Sequence, residues 1–255
     1  MQVIFERLRE LDSAPNQILI DAFNRRFATK NPKYRLISNE QVRPCFFTGD
    51  IESPGRIVSV SLQPAYTLGA TEDRQAGKSF QDWYDYCRFR FTLYESEQQV
   101  HSVFKNLFKV IAPPDIWATA SKREYLQAHL VNLDWCCYYS ESFPTFKLSS
   151  LPSGLQRLIC TDWDERLRWL IEIAAPQYIF AHGKALEEWA NRSSSGLVRA
   201  MRLESSLNQP CYLFEGMLAG TSTPIYYLEH FINQVNENET LQRVGRYANR
   251  KRRDI

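Results

Sequence analysis

No stretch of this chain approaches the roughly twenty consecutive apolar residues that span a bilayer. Charged residues arrive at Glu6, Arg7 and Arg9, too early for the apolar core of a secretory leader. Both absences point to a soluble, cytoplasmic protein. The six cysteines (Cys45, Cys87, Cys136, Cys137, Cys160 and Cys211) form no Cys-x-x-Cys pair, and adjacent Cys136 and Cys137 suit neither a shared metal nor an ordinary disulfide. They read as reduced and mostly core, with no metal and no cofactor expected. The chain also lacks a Gly-x-Ser-x-Gly elbow, a P-loop and a Gly-x-Gly-x-x-Gly turn. Those gaps rank a small-molecule α/β enzyme last among the functions considered.

Net charge is nearly absent as well, at +2, so bulk electrostatics name no partner. Its distribution is more informative. Arg243, Arg246, Arg250, Lys251, Arg252 and Arg253 crowd the C-terminus, and Arg25, Arg26, Lys30, Lys33 and Arg35 form a second basic stretch. Either could contact phosphates, with Arg250 and Arg252 the named candidates, and a solvated terminus is the competing reading.

What is present is ordinary globular composition, 44% hydrophobic and 24% charged, without repeats or long linkers. At 255 residues one α/β unit accounts for the whole chain. It divides into a helical N-terminal segment (1–40), a core (44–232) and a basic tail (239–255). Helices are expected at 3–11, 15–28, 79–94, 97–111, 164–175 and 184–191. Leu167, Leu170, Ile171 and Ala174 supply the apolar stripe of one of them. Strands are expected at 56–62, 129–135, 177–182 and 211–214, and Leu228, Phe231, Ile232 and Val235 read as a last helical stripe. Alternating strands and helices predict a three-layer α/β/α sandwich with a mostly parallel sheet. Ligands bind such sheets outside the carboxyl ends of the strands. Four turns qualify: 61–67, 132–135, 182–184 and 215–224.

The first turn, Val58-Ser59-Val60-Ser61-Leu62-Gln63-Pro64-Ala65-Tyr66, resembles the water-activating loop of the uracil-DNA glycosylase superfamily. Phe47-Thr48-Gly49-Asp50, Asn132 at a strand end, Phe180-Ala181-His182-Gly183-Lys184-Ala185 and Thr221-Ser222-Thr223-Pro224 follow the family's order from about residue 44 to 232. The resemblance implies a DNA glycosylase that hydrolyses the N-glycosidic bond of a flipped, deaminated or modified pyrimidine, one altered in foreign DNA included. Gln63 then takes the water-positioning place, although an amide cannot accept a proton there. Asp134, two residues beyond Asn132 on the same strand face, is the candidate for the missing carboxylate, or else a turn acid. Asn132 reads the base edge or is a satisfied buried amide. Tyr66 walls the pocket or is a core or surface tyrosine. Trp135, with Tyr138, Tyr139 and Phe143, stacks on the base or forms core.

Thr221 stands where the family has a histidine that steadies the leaving base, and Ser222 and Thr223 would donate to phosphates. His182, at another strand end, could substitute for that histidine or be structural. Lys184 would hold a phosphate at a helix start. A catalytically silent nucleic-acid-binding module of the same fold is the alternative, favoured by the lack of an evident general base.

Overall fold

A computed structural model describes residues 2–37, 42–62, 64, 75–203, 210–229 and 238–253. Seven strands form one sheet: β1 (Phe47–Thr48), β2 (Ile57–Ser61), β3 (Leu130–Asp134), β4 (Tyr178–His182), β5 (Val198–Leu203), β6 (Cys211–Met217) and β7 (Pro224–Leu228). Their order is β1-β3-β2-β4-β7-β6-β5. The centre is parallel, with β2 between β3 and β4 and β7 beyond β4. Both flanks are antiparallel: β1 on β3, and β6 and β5 beyond β7. The sheet is therefore mixed, not mostly parallel throughout. Three features escaped the sequence reading: short β1, β5, and β7, which occupies the position expected to open a helix at Leu228. Phe231, Ile232 and Val235 lie outside the described residues.

Helices cover both sheet faces. They are α1 (Gln2–Ser13), α2 (Gln17–Phe27), α3 (Phe80–Arg88), α4 (Ser102–Ile111), α5 (Lys122–His129), α6 (Ser153–Ile159), α7 (Glu165–Ala174), α8 (Glu187–Ser193) and α9 (Asn238–Arg253). Local chemistry sets several of their ends. Asn16 caps α2 by accepting from the Leu19 N–H, and Ser79 and Asp82 make a reciprocal capping box on α3. The helix expected over 97–111 begins only at Ser102, after a single 3₁₀ turn at Glu97–Gln99.

Strand alternation sorts the apolar side chains into two cores. Val58, Val60, Val131, Leu133, Ile179 and Ala181 face α1, α2, α6, α7 and α8, where the predicted stripe Leu167, Leu170, Ile171 and Ala174 is buried. Ile57, Leu130, Tyr178, Phe180, Tyr226 and Leu228 face α4, α5 and α9 on the other side. Among the described residues no helix is long and apolar enough to cross a membrane.

Helix α9 changes the meaning of the C-terminal segment. Leu241, Val244 and Ala248 are buried in the second core at helical spacing, with Arg243 and Arg246 on the outer side. Gly245 lies so close to α4 that an added Cβ would stand 2.2 Å from the Val110 carbonyl oxygen. The basic tail is thus also a structural helix, and cutting it away would open the core as well as remove charge. Gly245→Val should destabilise the fold by about 1–3 kcal/mol through overpacking. Exposed Arg243→Ala should stay within about 0.5 kcal/mol of the parent. Urea unfolding midpoints of the two variants check this contrast.

Candidate functional site

The second sheet face changes character along its length. Toward the amino ends of the strands it carries Ile57, Leu130, Tyr178 and Phe180. Toward the carboxyl ends the inward positions become Ser59 and Ser61 on β2, Thr48 on β1, Asn132 and Asp134 on β3, and His182 on β4. Register makes these a lateral row, with Thr48 and Ser59 both opposite Asn132, and Ser61 opposite Asp134. Helix α4 starts too late to cover them. A cavity of about 1140 Å³ opens there, lined by Thr48, Ser61, Asn132, Asp134 and His182 from the sheet. Trp83 and Tyr86 of α3, with Tyr94 and Phe104, supply an aromatic wall. The volume lies just above the range of small-molecule sites, roughly 300–1,000 Å³.

Hydrogen bonds orient the base of the cavity. Asn132 Oδ1 accepts from both Ser59 Oγ and Ser61 Oγ at 2.7 Å, and its Nδ2 donates to Asp134 Oδ1 at 3.4 Å. Two hydroxyl donors on one oxygen fix which way the amide points and leave it one N–H to offer. Burial pushes the Asp134 carboxyl well above the usual carboxylate range, and the neighbouring Cys45 adds to the rise. The Asn132 amide and the Arg166 guanidinium only partly offset it. Arg166, from α7, is spent on backbone: it donates to the carbonyls of Asp134 (3.3 Å) and Trp135 and pairs with Asp162 (3.1 Å). Burial also lowers His182 to about 4, so its imidazole is neutral at physiological pH.

Two further lining groups have unused hydrogen-bonding capacity. Gln75 is buried, and its Oε1 accepts from the Arg43 backbone N–H at 2.6 Å, while Nε2 has no partner among the described residues. The Tyr86 hydroxyl is likewise without a partner. Arg90, another lining residue, stacks its guanidinium on Tyr86 (4.8 Å) and Tyr94 (5.0 Å). Lys184 lines the cavity and is exposed.

Of the residues singled out in the sequence, Asn132, Asp134 and Lys184 meet at this cavity. Gln63 and Tyr66 lie outside the described residues, although Leu62 and Pro64, which flank Gln63, line the wall. Trp135 is not a base-stacking residue. It faces the first core, 4.9 Å from the Trp163 ring, and its Nε1 donates to Asp164 at 2.6 Å. Tyr139 and Phe143 do reach the cavity. Thr221, Ser222 and Thr223 are displaced altogether. They form the turn between antiparallel β6 and β7, and because β7 runs parallel to β4 from Pro224 onward, this turn lies beyond the amino end of β4. His182 sits at the opposite end, roughly 13 Å further along the strand at about 3.3 Å per residue. Thr221 Oγ1 donates to the Leu218 carbonyl (3.0 Å) and accepts from the Thr223 N–H (3.1 Å), so it stabilises its own hairpin. Arg250 and Arg252 belong to α9, and their side chains lie outside what is described.

The sequence reading missed the aromatic wall, Gln75, Cys45 and Cys87. It had one usable clue to a polar row: in Ile57-Val58-Ser59-Val60-Ser61, serines alternate with valines on a strand expected to be covered on both faces. Such serines cannot face solvent and must serve a buried site.

Among the described residues no cluster of histidine, cysteine, aspartate or glutamate is arranged to hold a metal ion. Comparison with protein-family models, with curated proteins and with solved structures returned no match.

The raised pKa of Asp134 sets a sign for pH dependence. The stability it contributes is fully present below the unfolded carboxylate range and is lost as pH rises toward its folded pKa. Asp134→Asn keeps the acceptor for Asn132 and cannot ionise. The variant should match the parent near pH 3 and exceed its stability increasingly from about pH 4 upward, with a limiting slope of about 1.4 kcal/mol per pH unit. Urea titrations between pH 3 and 8 give this difference, and a constant offset would contradict a neutral buried carboxyl.

Proposed function

We propose that the cavity receives one nucleobase extruded from DNA and that the protein hydrolyses the N-glycosidic bond of that nucleotide, a deaminated or modified pyrimidine. The observation that carries this reading is the polar row of half-buried Ser61 with buried Asn132, Asp134 and His182 beneath an aromatic wall. These groups satisfy one another and still leave an Asn132 N–H and the Asp134 carboxyl facing the cavity, where a ligand can use them. A planar, hydrogen-bonding ring is matched by aromatic side chains on one side and amide and carboxyl groups on the other. Arg90 and Lys184 supply positive charge for the flanking phosphates. The resemblance of the 58–66 loop and of Asn132 at its strand end to the uracil-DNA glycosylase superfamily supports the same reading.

Chemical roles follow from protonation. Asp134 is held neutral, so it cannot take a proton from water. It serves instead as the acid that donates toward the departing base as negative charge develops there. Asn132 offers its remaining N–H to a ring carbonyl. His182, neutral, can donate or accept but brings no charge. Gln63 keeps the water-positioning role, and Thr221 has none.

The test is abasic-site formation on oligonucleotides carrying uracil and other altered pyrimidines, read as strand breakage in alkali. Asp134→Asn should fold and lose roughly 10²-fold or more in turnover, the usual scale for removing a general acid. A second reading, a nucleic-acid-binding module without turnover, is favoured by the Asn132 acceptor being consumed by Ser59 and Ser61. It predicts DNA binding that Arg90→Ala weakens, with no abasic product on any substrate. Absence of both binding and product would dismiss both readings.

A further inference from the structure

The base-excision reading makes no use of two sulfur atoms in the cavity wall. Cys45 precedes β1 and Cys87 lies in the last turn of α3. Both are free, buried, and part of the lining, and no other cysteine lines the cavity among the described residues. Backbone contacts hold the two segments together. The Gly49 N–H donates to the Cys87 carbonyl at 2.9 Å, at a crossing where Gly49 has φ +100° and an added Cβ would stand 2.4 Å from the Leu130 carbonyl oxygen. Only glycine permits this approach. The Cys45 and Cys87 side chains are close enough to interact, and the Cys45 thiol donates to the Phe47 carbonyl at 3.6 Å.

We propose that Cys45 and Cys87 are a peroxide-oxidisable pair that closes to a reversible disulfide within the cavity wall. The inference rests on the cavity and its thiols, not on which ligand the cavity takes. Cys45 is the attacking sulfur. The neighbouring Cys87 thiol and the Arg90 guanidinium favour its thiolate, whereas burial and its neighbours hold Cys87 as a thiol. Cys45 sulfur attacks one peroxide oxygen, the O–O bond breaks, and water leaves after protonation, giving a sulfenic acid. Cys87 sulfur then displaces the sulfenic oxygen, releasing a second water as the S–S bond forms. In sum, two thiols and one hydrogen peroxide give one disulfide and two waters, with each sulfur losing one electron to the peroxide. Because Cys45 also contacts Asp134, oxidation removes a thiol from the base of the cavity and couples the site to oxidant.

The test uses the full chain, treated natively with hydrogen peroxide, alkylated, digested with trypsin and weighed by mass spectrometry. Cys45 is the only cysteine of the tryptic peptide 36–56, since Arg43 precedes proline, and Cys87 is the only one of 79–88. The expected product is a 36–56/79–88 cross-link two hydrogens lighter than the sum of its parts, with titratable thiols falling from six by two and restored by dithiothreitol. In Cys87→Ser, Cys45 should stop at a sulfenic acid trapped by dimedone. In Cys45→Ser, Cys87 should remain unmodified at the same dose. The proposal is overturned if the parent yields the two peptides separately, whether alkylated or over-oxidised. A disulfide from either one to Cys136 or Cys137 overturns it equally.

Discussion

The site depends on the register of β2 against β3. Ser59 opposite Asn132, with Ser61 one pleat further, brings two hydroxyls onto a single amide oxygen. A slip of one residue would send both serines into the first core and turn Val58 and Val60 toward the cavity. The valines therefore hold the serines in place: the apolar face specifies register, and register specifies the polar row. The cost of burying that row is limited by mutual satisfaction, since Ser59, Ser61, Asn132 and Asp134 form one connected set of donors and acceptors.

Two titratable groups in that row are kept neutral by the same cause acting with opposite sign. Burial raises the Asp134 pKa and lowers that of His182. Between roughly pH 4 and 6.5, unfolding would release a proton from Asp134 and take one up at His182, so their contributions to the pH slope oppose each other. A pocket that presents uncharged groups across this range suits a neutral, planar ligand more than an ionic one. The positive charge of Arg90 and Lys184 lies on the wall, away from the row itself.

Much of the sheet was legible in the sequence, and particular failures have particular causes. β2, β3 and β4 announce themselves through short, mainly apolar runs bounded by proline, glycine or a helix, and α7 through its four-residue stripe. β7 did not, because Leu228 falls at helical spacing from Phe231, Ile232 and Val235 and so read as the start of a helical stripe. Losing β7 misplaced the fourth turn: Thr221 does follow the carboxyl end of β6, but β6 runs antiparallel to β7 and β4, which puts that turn at the amino ends of the central strands. The carboxyl end of β7 is Leu228, whose carbonyl accepts from the Gly183 N–H at 2.9 Å. Trp135 failed for a simpler reason. One residue past Asp134, alternation carries it to the other face. The C-terminal helix was hidden by its own charge, since Leu241, Val244 and Ala248 are few among many basic residues.

The location of the cavity follows from chain direction. After β2 the chain crosses to β3 on one side by way of α4 and α5, and after β3 it returns past β2 to β4 by way of α6 and α7. Right-handed crossovers moving in opposite directions must lie on opposite faces, and the two cores show that they do. The carboxyl end of β2 is thus where the chain parts, and neither set of helices closes over it. Packing supplies the rigid base there, from three neighbouring strands. The facing wall comes from α3 and the irregular stretch up to α4, where few ladder bonds constrain side-chain choice. Chemistry is accordingly fixed by the sheet, while the selection of what enters rests on Tyr86, Arg90 and Tyr94, held beside Trp83, which is itself buried in the first core and donates to the Pro44 carbonyl at 3.1 Å.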